Sequence, residues 1–224
     1  MGGFMRLIWA MLLAAAGLTA SVAAPAWAAP MNCPPMCDRI PDSAWIDATE
    51  IPLYREYRWP QLAGLAVTTV SPRFRFEEDC ALPLLPDDPR HYAVSARVEV
   101  DRPVGHWQLQ VQVIHWRGET WRGGQHAMAA VRASDAAIRA CQLLVPASSP
   151  SITTGEPGRL AAVISFPDRV LRQYLLADAN SSTVVELAMW STTPPQVPWP
   201  PVADSQVLDA LAAPLCDAYL GSCR

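Results

Sequence analysis

The sequence predicts one α+β domain, in which helices pack on one face of a mostly antiparallel sheet and disulfide bonds stabilise the fold. Three observations predict it: two successive sets of strand-like segments, a cysteine-bearing helical segment after each set, and six cysteines behind an export leader. The cysteines lie at positions 33, 37, 80, 141, 216 and 223. An even number of cysteines in an exported chain is typical of a disulfide framework.

The first 28 residues have the pattern of a cleaved secretory signal. Arg6 precedes an apolar run over residues 7–24, and Ala26 and Ala28 form a small-residue cleavage site. The alternative is a membrane anchor, because the run approaches the ~20 residues that span a bilayer. The Ala-x-Ala ending favours cleavage, which leaves 196 of the 224 residues. We therefore expect a secreted, periplasmic or cell-wall-associated protein with no transmembrane segment after cleavage.

The composition excludes several classes of function. All 17 basic side chains are arginines, so the chain has no lysine for a Walker A loop, a Schiff base or a pyridoxal phosphate anchor. The formal net charge is −4, and no basic stripe tracks a phosphate backbone. We therefore expect no nucleic-acid partner, and no motif predicts a cofactor.

The part of the chain that follows the leader is predicted to begin with an irregular N-terminal segment over residues 29–72, joined to a domain over residues 73–224. Five prolines exclude a long element before residue 61, where at most a short helix fits. Alternation predicts strands over residues 62–70 and 73–79, and three further prolines predict a loop over residues 82–90.

A hairpin over residues 92–100 and 107–116 is the clearest predicted element. In both strands apolar and polar residues alternate, and Gln108, Gln110 and Gln112 share one face of the second strand. One face of this antiparallel pair is therefore expected to be exposed to water.

A third strand and a short helix are predicted to complete the first set. Gly123 and Gly124 precede residues 125–133, which read as a strand with a helix as the alternative. Ser134 is expected to cap a short helix that ends at Leu144.

The second set follows a predicted loop over residues 146–158. Strands are predicted over residues 160–166, 170–177 and 183–190, and a proline-rich crossing leads to a helix over residues 204–219. Trp199 lies in that crossing, which has a polyproline II composition. Trp199 is thus a possible ligand or partner contact, and packing of Trp199 on the sheet is the favoured alternative.

Six cysteines allow 15 pairings, which sequence alone does not separate. We favour a bond between Cys80 and Cys141. We also favour bonds that join Cys33 and Cys37 to Cys216 and Cys223, because the ends of a compact domain often lie close together. Three residues separate Cys33 from Cys37, one more than in thioredoxin-type redox motifs, which favours a structural role.

This order of elements resembles the extracellular sensor domain of a mycobacterial transmembrane Ser/Thr kinase and its exported relatives. The resemblance covers residues 73–219: Cys80 before the hairpin, Cys141 after it, and further strands before a C-terminal helix with Cys216. It implies a cleft that binds an unidentified ligand. Because neither a kinase domain nor a membrane anchor is expected here, we transfer no signalling role and no site residue.

The sequence predicts neither a catalytic nor a metal-binding residue. Its four histidines lack metal-ligand spacing, and Glu77, Glu78 and Asp79 lack the spaced loop of a calcium site. We expect an exported, non-catalytic protein that binds a small molecule, a glycan or an envelope protein. The alternative is an exported hydrolase whose Ser-His-Asp triad is dispersed along the chain.

Overall fold

A seven-stranded antiparallel sheet forms the centre of the protein, whose computed structural model describes residues 39–219 and residue 222. The predicted leader, the site after Ala28, and Cys33, Cys37 and Cys223 lie outside the described residues. The strands are β1 (Val67–Thr68), β2 (Val94–Val100), β3 (Gln108–His115), β4 (Ser149–Glu156), β5 (Arg159–Ser165), β6 (Arg169–Asp178) and β7 (Thr183–Thr192). Their order across the sheet is β1-β2-β3-β7-β6-β5-β4, and all neighbours are antiparallel.

Among the described residues, four α-helices accompany the sheet: α1 (Tyr54–Tyr57), α2 (Arg75–Asp79), α3 (Thr120–Leu144) and α4 (Asp204–Ala218). Short 3-10 helices lie at Asp42–Ala44, Ala48–Glu50, Ala63–Leu65 and Pro89–Tyr92. The α+β class, the mostly antiparallel sheet and the single domain are confirmed. No helix in the described part of the chain is both long and apolar enough to span a membrane.

Helices cover both faces of the sheet, so the expectation of a single covered face is wrong. On one face α4 and the segment before β1 bury Val111, Leu187 and their neighbours. On the other face α2 and α3 bury Ile114, Ala188 and their neighbours. Side chains alternate between the two faces of a strand, so strands with apolar residues at successive positions supply two cores.

The segment before β1 contributes to the first core although it contains little regular structure. Trp45, Ile46, Trp59 and Leu62 are buried there, and the indole of Trp59 donates to the Pro52 carbonyl at 2.8 Å. The strand predicted over residues 62–70 is reduced to the two residues of β1, because Leu62 enters the core and the next residues turn. The predicted start of the domain, at residue 73, falls between β1 and α2.

The predicted hairpin is confirmed as β2 and β3, with Val98 opposite Val111. The prediction that one face of this hairpin is exposed to water is wrong, because Gln110 and Gln112 are fully buried. Helix α2 covers this part of the sheet, so both side chains are removed from water, and each donates from Nε2 to the Glu186 carboxylate on β7.

Helix α2 occupies the segment predicted as a strand over residues 73–79. The alternation of arginine and phenylalanine imitates a strand, but the Glu77 carboxylate accepts the Phe74 N–H at 2.8 Å, as in one half of a capping box. An ion pair one turn apart, between Arg75 and Asp79 at 3.1 Å, adds to the helix.

One long helix, α3, replaces the predicted third strand and short helix, so the helical alternative is the correct one. Ser134 is not a cap but lies inside α3, where its hydroxyl donates to the Ala130 carbonyl at 2.9 Å. At Gly123 and Gly124, α3 comes close to the turn between β6 and β7. A Cβ atom at Gly124 would lie 2.5 Å from the Ala179 oxygen, so a larger residue would push the helix away.

The edge strand β4 occupies the predicted loop over residues 146–158. Its side chains are mostly exposed, which explains why serine, threonine and glycine are accepted there. Pro150 is tolerated because proline in a sheet is largely confined to edge strands. The strands predicted over residues 160–166, 170–177 and 183–190 and the C-terminal helix are confirmed within a few residues as β5, β6, β7 and α4.

Candidate ligand-binding cleft

A cleft of about 590 Å³ lies between α3 and the loop over residues 81–91, which we call the cleft loop. Its wall is formed by Ser71–Arg73, Glu77, Leu82–His91, Ala129, Ala130, Ala133, Ser134 and Ala137. The volume lies within the range of about 300–1,000 Å³ that is usual for sites binding small molecules.

The walls of the cleft are largely apolar. Helix α3 presents alanines at positions 129, 130, 133 and 137, whose short side chains leave the space open. Across from them, Leu84 and Leu85 keep 66% and 62% of their surface exposed, although both are large and apolar. Exposed apolar surface of this kind is a common mark of binding sites.

A buried ion cluster closes the polar end of the cleft. The Arg90 guanidinium donates to both oxygens of Glu77, at 2.8 and 2.9 Å, and to both oxygens of Asp88. Burial acts to lower the pKa of Arg90, but its bonds to Asp88 and Glu77 outweigh burial and raise it. Burial likewise acts to raise the pKa of Asp88, and the bonds from Arg90 leave it lowered. Arg90 and Asp88 therefore both favour their charged forms.

Two fixed connections hold the walls together. Arg73 Nη2 donates to the carbonyls of Glu77 and Leu82, at 3.1 and 2.7 Å, and so ties the cleft loop to α2. The disulfide between Cys80 and Cys141 joins the end of α2 to α3, which confirms the predicted pair. Both cysteines are fully buried. The cleft is thus formed by connected elements before any ligand enters.

A buried carboxylate lies between α2 and the sheet, and the sequence did not predict it. Glu186 on β7 is fully buried and forms, with Gln110, Gln112 and Gln173, what we call the Glu186 cluster. The Glu186 carboxylate accepts the Arg75 N–H at 2.6 Å, Gln173 Nε2 at 3.0 Å and Gln110 Nε2 at 2.9 Å. Gln173 Oε1 in turn accepts the Phe76 N–H at 3.3 Å.

Burial raises the pKa of Glu186 to about 7, and the bonds from Arg75, Gln173 and Gln110 limit that rise. The signal that would have found this carboxylate is an acidic residue inside the apolar run of the predicted strand over residues 183–190. Read together with the glutamines on the neighbouring strand, it points to a buried polar cluster.

Trp199, the predicted contact residue, is partly buried against the first core, away from the residues that line the cleft. Its ring meets Trp107 edge-on with centroids 5.0 Å apart, and the Arg172 guanidinium lies 4.5 Å from the ring centroid. Cys216 is disulfide-bonded. The pairing predicted for it, as for Cys33, Cys37 and Cys223, involves residues outside the described part and stays a prediction.

Two of the four described histidines contact neutral hydroxyl groups. His115 Nδ1 lies 3.1 Å from Thr183 Oγ1, and burial lowers the pKa of this histidine. His106 Nδ1 lies 3.4 Å from the Tyr57 hydroxyl. Within residues 39–219 and at 222, no cluster of three or more His, Cys, Asp or Glu side chains is arranged to hold a metal ion.

Two comparisons with known proteins, one with models of protein families and one with curated sequences, found no match for this chain.

Proposed function

We propose that this chain is an exported, non-catalytic protein that binds a small apolar molecule in the cleft between α3 and the cleft loop. The cleft itself carries the proposal: its size suits a small molecule, its walls are largely apolar, and the ion cluster of Arg90, Glu77 and Asp88 at its polar end is already paired. A site that is formed in advance avoids the entropic cost of ordering a loop when the ligand binds. The resemblance to exported sensor domains is consistent with this function.

Export is the part of the proposal that rests on the leader and the disulfide bond. Stable disulfides form in oxidising compartments outside the cytoplasm. Expressed with its leader in a bacterium, the chain should be recovered in the soluble extracytoplasmic fraction with Ala29 as its first residue. N-terminal sequencing measures this. An Ala28→Arg variant should remain uncleaved, whereas wild-type protein that keeps Met1 in the membrane fraction would overturn the claim.

Filling the cleft should abolish binding of an apolar probe. Ala133 lines the cleft and its side chain is exposed, so Ala133→Phe would occupy the space without disturbing a core. We expect N-phenyl-1-naphthylamine to bind the wild type with a rise in fluorescence. We expect its affinity to fall at least about tenfold, or 1.4 kcal/mol, in the variant.

The matched control is Ala136→Phe, which adds the same ring to an exposed position of α3 outside the cleft wall. This variant should bind the probe like the wild type. Equal affinities in the wild type and in Ala133→Phe, or an absence of saturable binding, would contradict the proposed function.

A further inference from the structure

The charged groups of the cleft differ in whether they have a partner of opposite charge. Two arginines and three carboxylates line it: Arg73, Arg90, Glu77, Asp87 and Asp88. Arg90 pairs with Glu77 and Asp88 at the polar end. Each of these two carboxylates also accepts a backbone N–H, Glu77 from Phe74 and Asp88 from Arg90, at 2.8 and 2.9 Å. This cluster is therefore satisfied within the protein.

Arg73 keeps guanidinium N–H donors that are available to a ligand. Its Nη2 donates to two carbonyls, which fixes the position of the side chain while leaving its charge uncompensated. An arginine has five N–H donors, and within the described part of the chain Nε and Nη1 of Arg73 donate to no other group. No carboxylate of residues 39–219 forms an ion pair with it.

The remaining charge, Asp87, lies on the exposed side of the cleft loop. Water and salt screen an exposed charge more strongly than a partly buried one, so Asp87 acts on a ligand less than Arg73 does. Arg73 is half-buried beside Pro72 and Leu82, where the lower dielectric strengthens a charge-assisted hydrogen bond.

Resting on the proposed function, we propose that the ligand is a fatty-acid-type amphiphile, whose carboxylate binds Arg73 while its single chain lies along the alanines of α3. The alanine wall and the two exposed leucines supply apolar contact along the length of the cleft. The anchored Arg73 guanidinium supplies a fixed positive charge in this wall, with free N–H donors for an anionic head.

Ten-carbon amphiphiles that differ in the head group test this inference. Decanoate, 1-decanol and decyltrimethylammonium carry the same chain, so displacement of N-phenyl-1-naphthylamine from the wild type compares the heads alone. We expect decanoate to bind at least about tenfold more tightly than 1-decanol at low salt. The cation should bind most weakly, and the advantage of decanoate should shrink as salt is added, because the contact is ionic.

Two variants of Arg73 test whether this residue causes the preference for decanoate. Arg73→Met should bind decanoate and 1-decanol equally, whereas Arg73→Lys, which keeps the charge, should retain the preference for decanoate. Arg132→Met is the control, because Arg132 is exposed on α3 outside the cleft wall and its loss changes only the net charge. It should bind like the wild type.

The outcomes separate this inference from the function on which it rests. Displacement by all three compounds with equal affinity, or best by the cation, would overturn the carboxylate preference and leave the apolar site standing. A wild-type protein that binds neither the probe nor any ten-carbon compound would overturn both. Because the head-group series is measured on the wild type, it decides the matter even where Arg73→Met folds poorly.

Discussion

Replacing both Cys80 and Cys141 by alanine should lower the free energy of unfolding by about 4 kcal/mol. The disulfide closes a segment whose ends are 61 residues apart, and the entropy of the unfolded chain rises when such a cross-link is lost. Removing both cysteines leaves no free thiol behind. Urea denaturation followed by tryptophan fluorescence measures the change, and non-reducing peptide mapping of the wild type checks that the two cysteines are joined.

The same double variant should weaken binding in the cleft. The bond joins α2 to α3, and both elements contribute to the cleft wall. Cys216→Ala is the control, because Cys216 is also disulfide-bonded but lies on α4, which packs on the opposite face of the sheet. Affinity for N-phenyl-1-naphthylamine should fall in the double variant and persist in Cys216→Ala. A double variant as stable as the wild type would contradict a structural role for this bond.

Local pattern was sufficient to predict the elements whose partners are adjacent in sequence. In β2, β3 and β5 to β7, apolar residues either alternate with polar ones or form a continuous run between turn residues. The strands of each pair, β2 with β3, β5 with β6 and β6 with β7, follow one another in the sequence and pair antiparallel. The Cys80–Cys141 pair was also predicted, and the structure places its Cα atoms 5.1 Å apart.

Elements decided by distant contacts were missed. The segment over residues 73–79 alternates like a strand, but its helical form is held by residues about 100 positions away. The Arg75 N–H donates to Glu186 and the Phe76 N–H to Gln173, both on the central strands. The alternation predicted a strand because a pattern of period two does not reveal such partners.

The candidate site was outside the reach of sequence patterns for a similar reason. Its walls come from a loop and a helix separated by about 40 residues, and the alanines of α3 are unremarkable in the sequence. The proline-rich loop was predicted correctly, but what makes it a cleft wall is the Arg73 anchor and the disulfide. Trp199, the contact residue that the sequence suggested, packs elsewhere.

The Glu186 cluster should make the protein less stable as the pH rises from about 4.5 to about 7. The carboxyl has an ordinary pKa of 4.5, and burial in the folded protein raises this pKa to about 7. Between these values the folded chain keeps a proton that the unfolded chain releases, so each pH unit costs about 1.4 kcal/mol. The loss therefore reaches about 3 kcal/mol and is complete above about pH 7.

Glu186→Gln isolates this contribution, because an amide of the same shape carries no charge at any of these pH values. Gln110 Oε1 is buried and has no partner among the described residues, so it could accept from the new amide once the Gln110 amide rotates. Urea unfolding from pH 4.5 to 7.5 at constant salt should show a flatter dependence on pH in this variant than in the wild type. The control Glu156→Gln, at the exposed end of β4, should keep the wild-type dependence. If Glu186→Gln and the wild type lose stability in parallel over this range, Glu186 is not the group that titrates there.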